Sequence, residues 1–224
     1  MLEQHHQHGH PATLRFYTWH PAAISLGYHQ RQFPPQWCEL TWNDRPLDLV
    51  RRPSGGRAVL HQGELTYAVI TSGLSGTRRS AYQQICEFLI RGWRSIGVEL
   101  HYGTAGRGYI HNPNCFGTAT AADLVLPNGV KLIGSAQLRR GNTILQHGSM
   151  RLQPDPVLFE QVFGEPMQPF DLPFDLPFDL TAPDLYQQVI EALTMAACET
   201  FGVELVPQPL TEKEWEAIEL MERG

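Results

Sequence analysis

The chain has 224 residues, enough for one domain or one with a small appendage, and its 42% hydrophobic content suffices for a sizeable core. A net charge of −6 argues against a general nucleic-acid binder, whose surface is basic. No apolar run reaches the roughly 18 residues of a membrane span, and the start, Met1-Leu2-Glu3-Gln4-His5-His6, has no apolar signal core. The expectation is a single cytoplasmic domain over 1–224, without membrane or nucleic-acid partners. Four cysteines, Cys38, Cys86, Cys115 and Cys198, show no CxxC spacing and read as free thiols. Cys86 and Cys198 fall in helix-patterned apolar segments and read as core.

In chain order, residues 1–13 read as a flexible head. Leu14 to Trp19 and Ala23 to Tyr28 read as strands. After a connection through Pro34-Pro35, Leu47 to Arg52 and Arg57 to Leu60 read as strands flanking a Ser54-Gly55-Gly56 turn. Leu65 to Ile70 is another strand. Thr77 to Ile96 is the clearest helix, with Tyr82, Ile85, Cys86, Leu89 and Trp93 at helical spacing and Gly97 at its C-terminal end. Val98 to Tyr102 returns as a strand. Ala121 to Leu126, Val130 to Leu138 and Thr143 to Leu152 form an antiparallel meander, with Asn128-Gly129 and Gly141-Asn142 at its turns. Three copies of Pro-Phe-Asp-Leu over 169–180 read as an extended connection, since proline at every fourth position blocks regular helix and central strand. Asp184 to Phe201 is a second amphipathic helix and Val203 to Val206 a short strand. Thr211 to Arg223 closes as a helix, with Thr211 and Glu214 in a capping-box pattern. Many strands with a few helices make an α+β fold, a mixed, mostly antiparallel sheet with flanking helices.

Two segments carry the chemistry. The first runs from Arg51 and Arg52 through Pro53, Ser54, Gly55, Gly56, Arg57 and Ala58 to His61. Adjacent glycines let a ligand approach the backbone, and the amides of such a turn can cradle an anion or a carbonyl. Taken alone, it also reads as an ordinary hairpin turn with solvent arginines. The second begins at Lys131, which opens a strand whose alternate positions Ile133, Ser135 and Gln137 share its face. Gly134 and Ala136 on the other face are small, and Leu145-Gln146-His147-Gly148-Ser149 follows as the partner strand. A lysine at a strand start is ordinarily a solvated charge, replaceable at little cost in stability. Between the segments, Cys115 lies in the loop His111-Asn112-Pro113-Asn114-Cys115-Phe116-Gly117. It reads either as an incidental thiol or as a thiolate stabilised by a nearby cation.

Taken as a set, these residues resemble the lipoate/octanoate protein-acylation family, within the biotin/lipoate protein ligase superfamily. The closest likeness is to its cysteine-dependent octanoyltransferases. Their pattern of Cys-Phe, a Gly-x-Lys turn, Gly-Ser-Ala-Gln and Leu-Gln-His-Gly-Ser is matched by Cys115-Phe116, Gly129-Val130-Lys131, Gly134 to Gln137 and Leu145 to Ser149. Arg57 stands where the family usually has a third glycine. Of the family's usual N-terminal Met-Ala-x-Asp-Glu-like helix, only something like the end is present, at Leu2 to His10.

The resemblance implies a biotin/lipoate protein ligase-like fold. It also implies an enzyme that moves octanoyl from acyl carrier protein through a Cys115 thioester to a lysine of a lipoyl-domain acceptor, such as glycine-cleavage H protein. Cys115 and Lys131 would be catalytic. Arg52, Ser54, Gly55, Gly56, Arg57, Ala58, His61, Gly134, Ser135, Ala136, His147, Gly148 and Ser149 would bind substrate. No cofactor is expected. The histidines of the head lack the companions of a fixed metal site, and no Walker or dinucleotide motif appears. The alternatives are an ATP-dependent lipoate-protein ligase and a protein that binds acylated carriers without turnover.

Overall fold

The computed structural model describes residues 1–103, 123–168 and 184–222. Cys115 and the Pro-Phe-Asp-Leu repeat lie outside the described residues. The first element, α1 (Leu2–His8), falls within the stretch expected to be a flexible head. It lies against the main sheet: His5 Nε2 is 3.1 Å from Ser72 Oγ, and His6 Nδ1 is 3.2 Å from Thr143 Oγ1.

The main sheet combines β1 (Thr13–Tyr17), β7 (Glu64–Ser72), β8 (His101–Tyr102), β9 (Asp123–Val125), β10 (Lys131–Arg140) and β11 (Thr143–Arg151). Its order is β1-β7-β11-β10-β9-β8, antiparallel throughout. Helices α2 (Arg78–Ser95) and α4 (Leu185–Phe201) cover one face. Thr77 caps α2, its Oγ1 accepting from the Ser80 amide at 3.1 Å. The helices bring Phe88, Leu89, Trp93, Val189 and Leu193 onto Leu65, Tyr67, Ile133 and Met150 of the sheet. Each such side chain stabilises by about 1.5–3 kcal/mol when fully buried. Gly92 lets the two helices touch, since a Cβ there would stand 2.7 Å from Leu193 Cδ2.

A smaller sheet lies on the other side, in the order β5-β2-β6, with β2 (Ala23–Leu26) parallel to β5 (Asp48–Arg51) and antiparallel to β6 (Val59–His61). The strands flanking the glycine turn therefore do not pair with each other, because β2 runs between them. Adjacency in sequence had no means of announcing that insertion. This sheet has its own core around Ile24, Leu26, Trp37, Leu158 and Val162. The last two belong to α3 (Pro156–Phe163), a helix the sequence reading passed over. Its signals are local: Asp155 Oδ1 accepts from the Val157 and Leu158 amides at 2.9 Å, Pro156 opens the helix, and Gly164 closes it with φ of 72°. A minor hairpin pairs β3 (Thr41–Trp42) with β4 (Arg45–Pro46).

The meander, the two long helices and α5 (Glu212–Glu222) follow the expectation. The capping box at Thr211 and Glu214 is made in both directions. Three expectations are corrected. Val203 to Val206 is not a strand: the Val203 amide donates to the Cys198 carbonyl at 3.1 Å, as part of the C-terminal cap of α4. Val98 to Tyr102 shortens to the two residues of β8. Cys198 is only partly buried on α4, whereas Cys86 is fully buried and its thiol pushed up to about 12 by that burial. No helix among the described residues is long and apolar enough to cross a membrane.

Candidate active site

A cavity of about 390 Å³ lies between the uncovered face of the main sheet and the smaller sheet, within the roughly 300–1,000 Å³ range of small-ligand pockets. Its floor follows from strand register. Ala68, His147 and Ala136 stand side by side on β7, β11 and β10, and Thr66, Ser149 and Gly134 form the next row. Small residues beside His147 leave a slot instead of a packed interface. The smaller sheet supplies Val50, Val59 and the glycine turn as the opposite wall, and Tyr17 and Trp19 close one side.

The turn is held by Arg52. Its guanidinium donates to the carbonyls of Ser25 (2.8 Å), Gly55 (3.1 Å) and Arg57 (2.6 Å), and to Ser25 Oγ (3.1 Å). A planar fork with several donors suits this clamping of a loop backbone. Gly56 has φ of 102°, and a Cβ on Gly27 would stand 1.9 Å from the Gly56 carbonyl oxygen, so the turn needs glycine on both sides.

Below the clamp runs a buried polar chain. Ser25 Oγ is 2.7 Å from His61 Nε2, and His61 Nδ1 is 2.5 Å from Glu64 Oε1. Thr66 Oγ1 donates to the same carboxylate oxygen at 2.6 Å and accepts from Trp19 Nε1 at 3.0 Å. With Nδ1–H donating to the carboxylate, Nε2 accepts the Ser25 proton. The Trp19 ring stacks on the imidazole at 4.1 Å. His147 shares a 2.5 Å hydrogen bond with Ser54 Oγ. Burial first, and then the neighbouring Arg52 guanidinium and the nearby His61, push its pKa down to about 4, so it is neutral at physiological pH.

Lys131 departs from its sequence reading in two ways. It is buried, with Nζ 2.8 Å from the buried carboxylate of Asp123. It also does not share a face with Ile133, Ser135 and Gln137. Between Lys131 and Ile133 the register against β9 shifts, so that Lys131 faces Val125, Ile133 faces Leu124 and Gly134 faces Asp123. This β-bulge puts the lysine on the Gly134 face of the sheet, although neither Lys131 nor Asp123 lines the cavity itself, while Ile133 stays in the helix-covered core. Arg151 braces the bulge by donating from Nε (3.0 Å) and Nη2 to the Lys131 carbonyl. Burial pushes the Arg151 pKa down to about 10, which leaves it cationic.

Of the other expected residues, Arg52, Gly55, Gly56, His61 and Ala136 line the cavity, as do Gly134, His147, Gly148 and Ser149. Ser135 lines it too, but its hydroxyl points the other way and accepts from Tyr67 at 2.8 Å. Ala58 belongs to the core of the smaller sheet, and Ser54 acts through His147. Arg57 does not line the cavity; its carbonyl serves the Arg52 clamp. Sequence reasoning missed Ser25, Glu64, Thr66 and Asp123. Glu64 and Thr66 left a trace, as polar residues alternating with Leu65 and Tyr67, whereas the pairing of Ser25 with His61 is non-local.

A glycine turn clamped over an apolar slot, with a buried lysine on the same sheet face, makes a partly enclosed site suited to an apolar ligand. Residues 1–170 match the model of the lipoyl protein ligase A/B catalytic domain, and the chain belongs to that family. A protein named octanoyltransferase LipM from Kyrpidia tusciae is 37% identical over 228 residues, covering 93% of this chain and 82% of its own. One of the same name from Brevibacillus brevis is 34% identical, covering 96% and 84%. Among solved structures, a bi-partite lipoate protein ligase from Thermoplasma acidophilum superposes with a TM-score of 0.71 at 21% identity, over 96% of this chain and 81% of its own. A lipoate-protein ligase A bound with ATP does so with 0.71 at 22%, over 97% and 84%. These structural likenesses bear out the biotin/lipoate protein ligase-like fold.

Proposed function

We propose that the chain is an octanoyltransferase of lipoate biosynthesis. The observation that carries the reading is its likeness, over more than nine-tenths of its length, to octanoyltransferases. The narrow slot, with Lys131 on the same sheet face, supports it. In this reading the donor is octanoyl-acyl carrier protein. The Cys115 thiolate adds to the thioester carbonyl and the carbonyl electron pair moves onto oxygen. The tetrahedral species then collapses to an octanoyl-Cys115 thioester as the carrier thiolate leaves. The neutral amine of a lysine on a lipoyl-domain acceptor, such as glycine-cleavage H protein, attacks in turn. It forms the amide, releases the Cys115 thiolate and loses a proton to solvent. The Lys131 ammonium stabilises the thiolate and both oxyanions. Arg52 holds the glycine turn against the acyl chain, and neutral His147 contributes a polar contact without adding charge to the slot.

Intact mass tests the nucleophile. After incubation with octanoyl-carrier protein, the wild type should gain one octanoyl group that hydroxylamine removes, and Cys115→Ala should gain none. An equal adduct on Cys115→Ala would sink the assignment.

A further inference from the structure

Ser149 stands apart from the other polar groups of the slot. It is 4% exposed, it lines the cavity, and its Oγ has no hydrogen-bond partner among the described residues. Three nearby hydroxyls are committed: Ser25 to His61, Thr66 to Glu64, and Ser54 to His147. A buried hydroxyl left unsatisfied costs about 1–3 kcal/mol, and such a group in a cavity marks the place where a ligand completes the hydrogen bonding.

The register shows what lies beside it. Ser149 is opposite Gly134, and Gly134 is opposite Asp123, so the three form one cross-strand row on the cavity side. Neighbouring strands are roughly 4.8 Å apart, which puts the Ser149 and Asp123 backbones about 10 Å apart across Gly134. Gly134 contributes no side chain to the space between them. The far side of that gap holds the Lys131 ammonium, 2.8 Å from Asp123. The gap is thus floored by a glycine and flanked by a hydroxyl on one side and by the Asp123–Lys131 ion pair on the other.

We propose that Ser149 is a second hydrogen-bond donor to the acyl carbonyl, whose oxygen lies over Gly134 between the Ser149 hydroxyl and the Lys131 ammonium. The inference rests on the acyl-transfer reading above. When a thiolate or an amine adds to the carbonyl carbon, the carbonyl electron pair moves onto this oxygen; it returns when the leaving group departs. Ser149 keeps its proton throughout and donates more strongly to the oxyanion than to the ground-state carbonyl. One hydroxyl thereby serves both the loading of the enzyme and the transfer to the acceptor.

The test uses the full chain, octanoyl-carrier protein and an apo lipoyl-domain acceptor, and measures kcat, KM and melting temperature together. Ser149→Ala should lower kcat on the order of a hundred-fold with KM for the donor little changed, the pattern of an interaction made in the transition state. Its melting temperature should equal or exceed that of the wild type, because an unsatisfied buried group has been removed. Ser149→Thr, which keeps a hydroxyl, should recover most of the rate. A wild-type kcat in Ser149→Ala overturns the inference, as does a loss of rate that comes with a lowered melting temperature. Absence of octanoyl transfer in the wild type removes the acyl-transfer reading itself, and this inference with it.

Discussion

Lys131 and Asp123 stabilise each other inside the protein, so replacing either one has two consequences. Removing one partner of a buried ion pair costs about 3–5 kcal/mol, because the remaining charge loses its counter-ion. Lys131→Ala should therefore lose activity and also unfold at lower urea, contrary to the small effect expected of a solvated strand residue. The double variant Lys131→Met with Asp123→Leu should regain much of the stability and none of the octanoyl transfer. Urea unfolding together with the transfer assay checks both halves, and full stability in Lys131→Ala alone would contradict the buried pair. His147 supplies a pH signature. Its folded pKa of about 4 lies below the usual histidine value of 6.5, so between those limits the unfolded chain binds more protons than the folded one. The stabilisation is fully present above about pH 6.5 and is lost as pH falls towards 4, with up to about 3 kcal/mol at stake at about 1.4 kcal/mol per pKa unit. Measured against wild type over that window, His147→Gln should show a flatter fall in stability. An identical slope in the two proteins would place the histidine in water.

At the scale of elements, register and caps position the site. The bulge at the start of β10 is one extra residue, yet it transfers Lys131 from the core face to the cavity face. Gly148 on β11 keeps β10 close: a Cβ there would stand 2.6 Å from the Gly134 carbonyl oxygen and from Ser135 Oγ, and 2.7 Å from Tyr67 Cε1. Gly148→Ala should cost about 1–3 kcal/mol by overpacking and slow transfer by displacing Gly134, as equilibrium unfolding and the transfer assay would show. The cap of α3 has a smaller part. Asp155→Ala removes two amide contacts and should cost about 1 kcal/mol. Because Val162 of that helix accepts from Trp37 Nε1 at 2.7 Å, the loss falls on the smaller sheet and leaves the α2–α4 face intact. Hydrogen exchange in the two regions would separate these effects.

At the scale of the whole molecule, the main sheet is covered by helices on one face and by the smaller sheet on the other, and the slot is the unfilled part of the second interface. A thioester donor already carries the activation energy of the acyl group. Modification of a lipoyl-domain acceptor should therefore proceed after nucleotide has been removed enzymatically. A requirement for free acid plus ATP would point instead to ligase chemistry. The sequence by itself determined the α+β class, the long helices, the meander and the Arg-Gly-Gly and Lys-x-x-Gly-Ser segments, because periodicity, turn residues and caps are local properties of the chain. Only the tertiary structure decided that β2 runs between β5 and β6. The same holds for the Arg52 clamp on the glycine turn, the meeting of Ser25 with His61, and the turning of Lys131 onto the Gly134 face of the sheet to meet Asp123. Each of these depends on strand pairing or register between distant segments, and a one-residue shift in register reverses the face a side chain occupies without changing any local pattern.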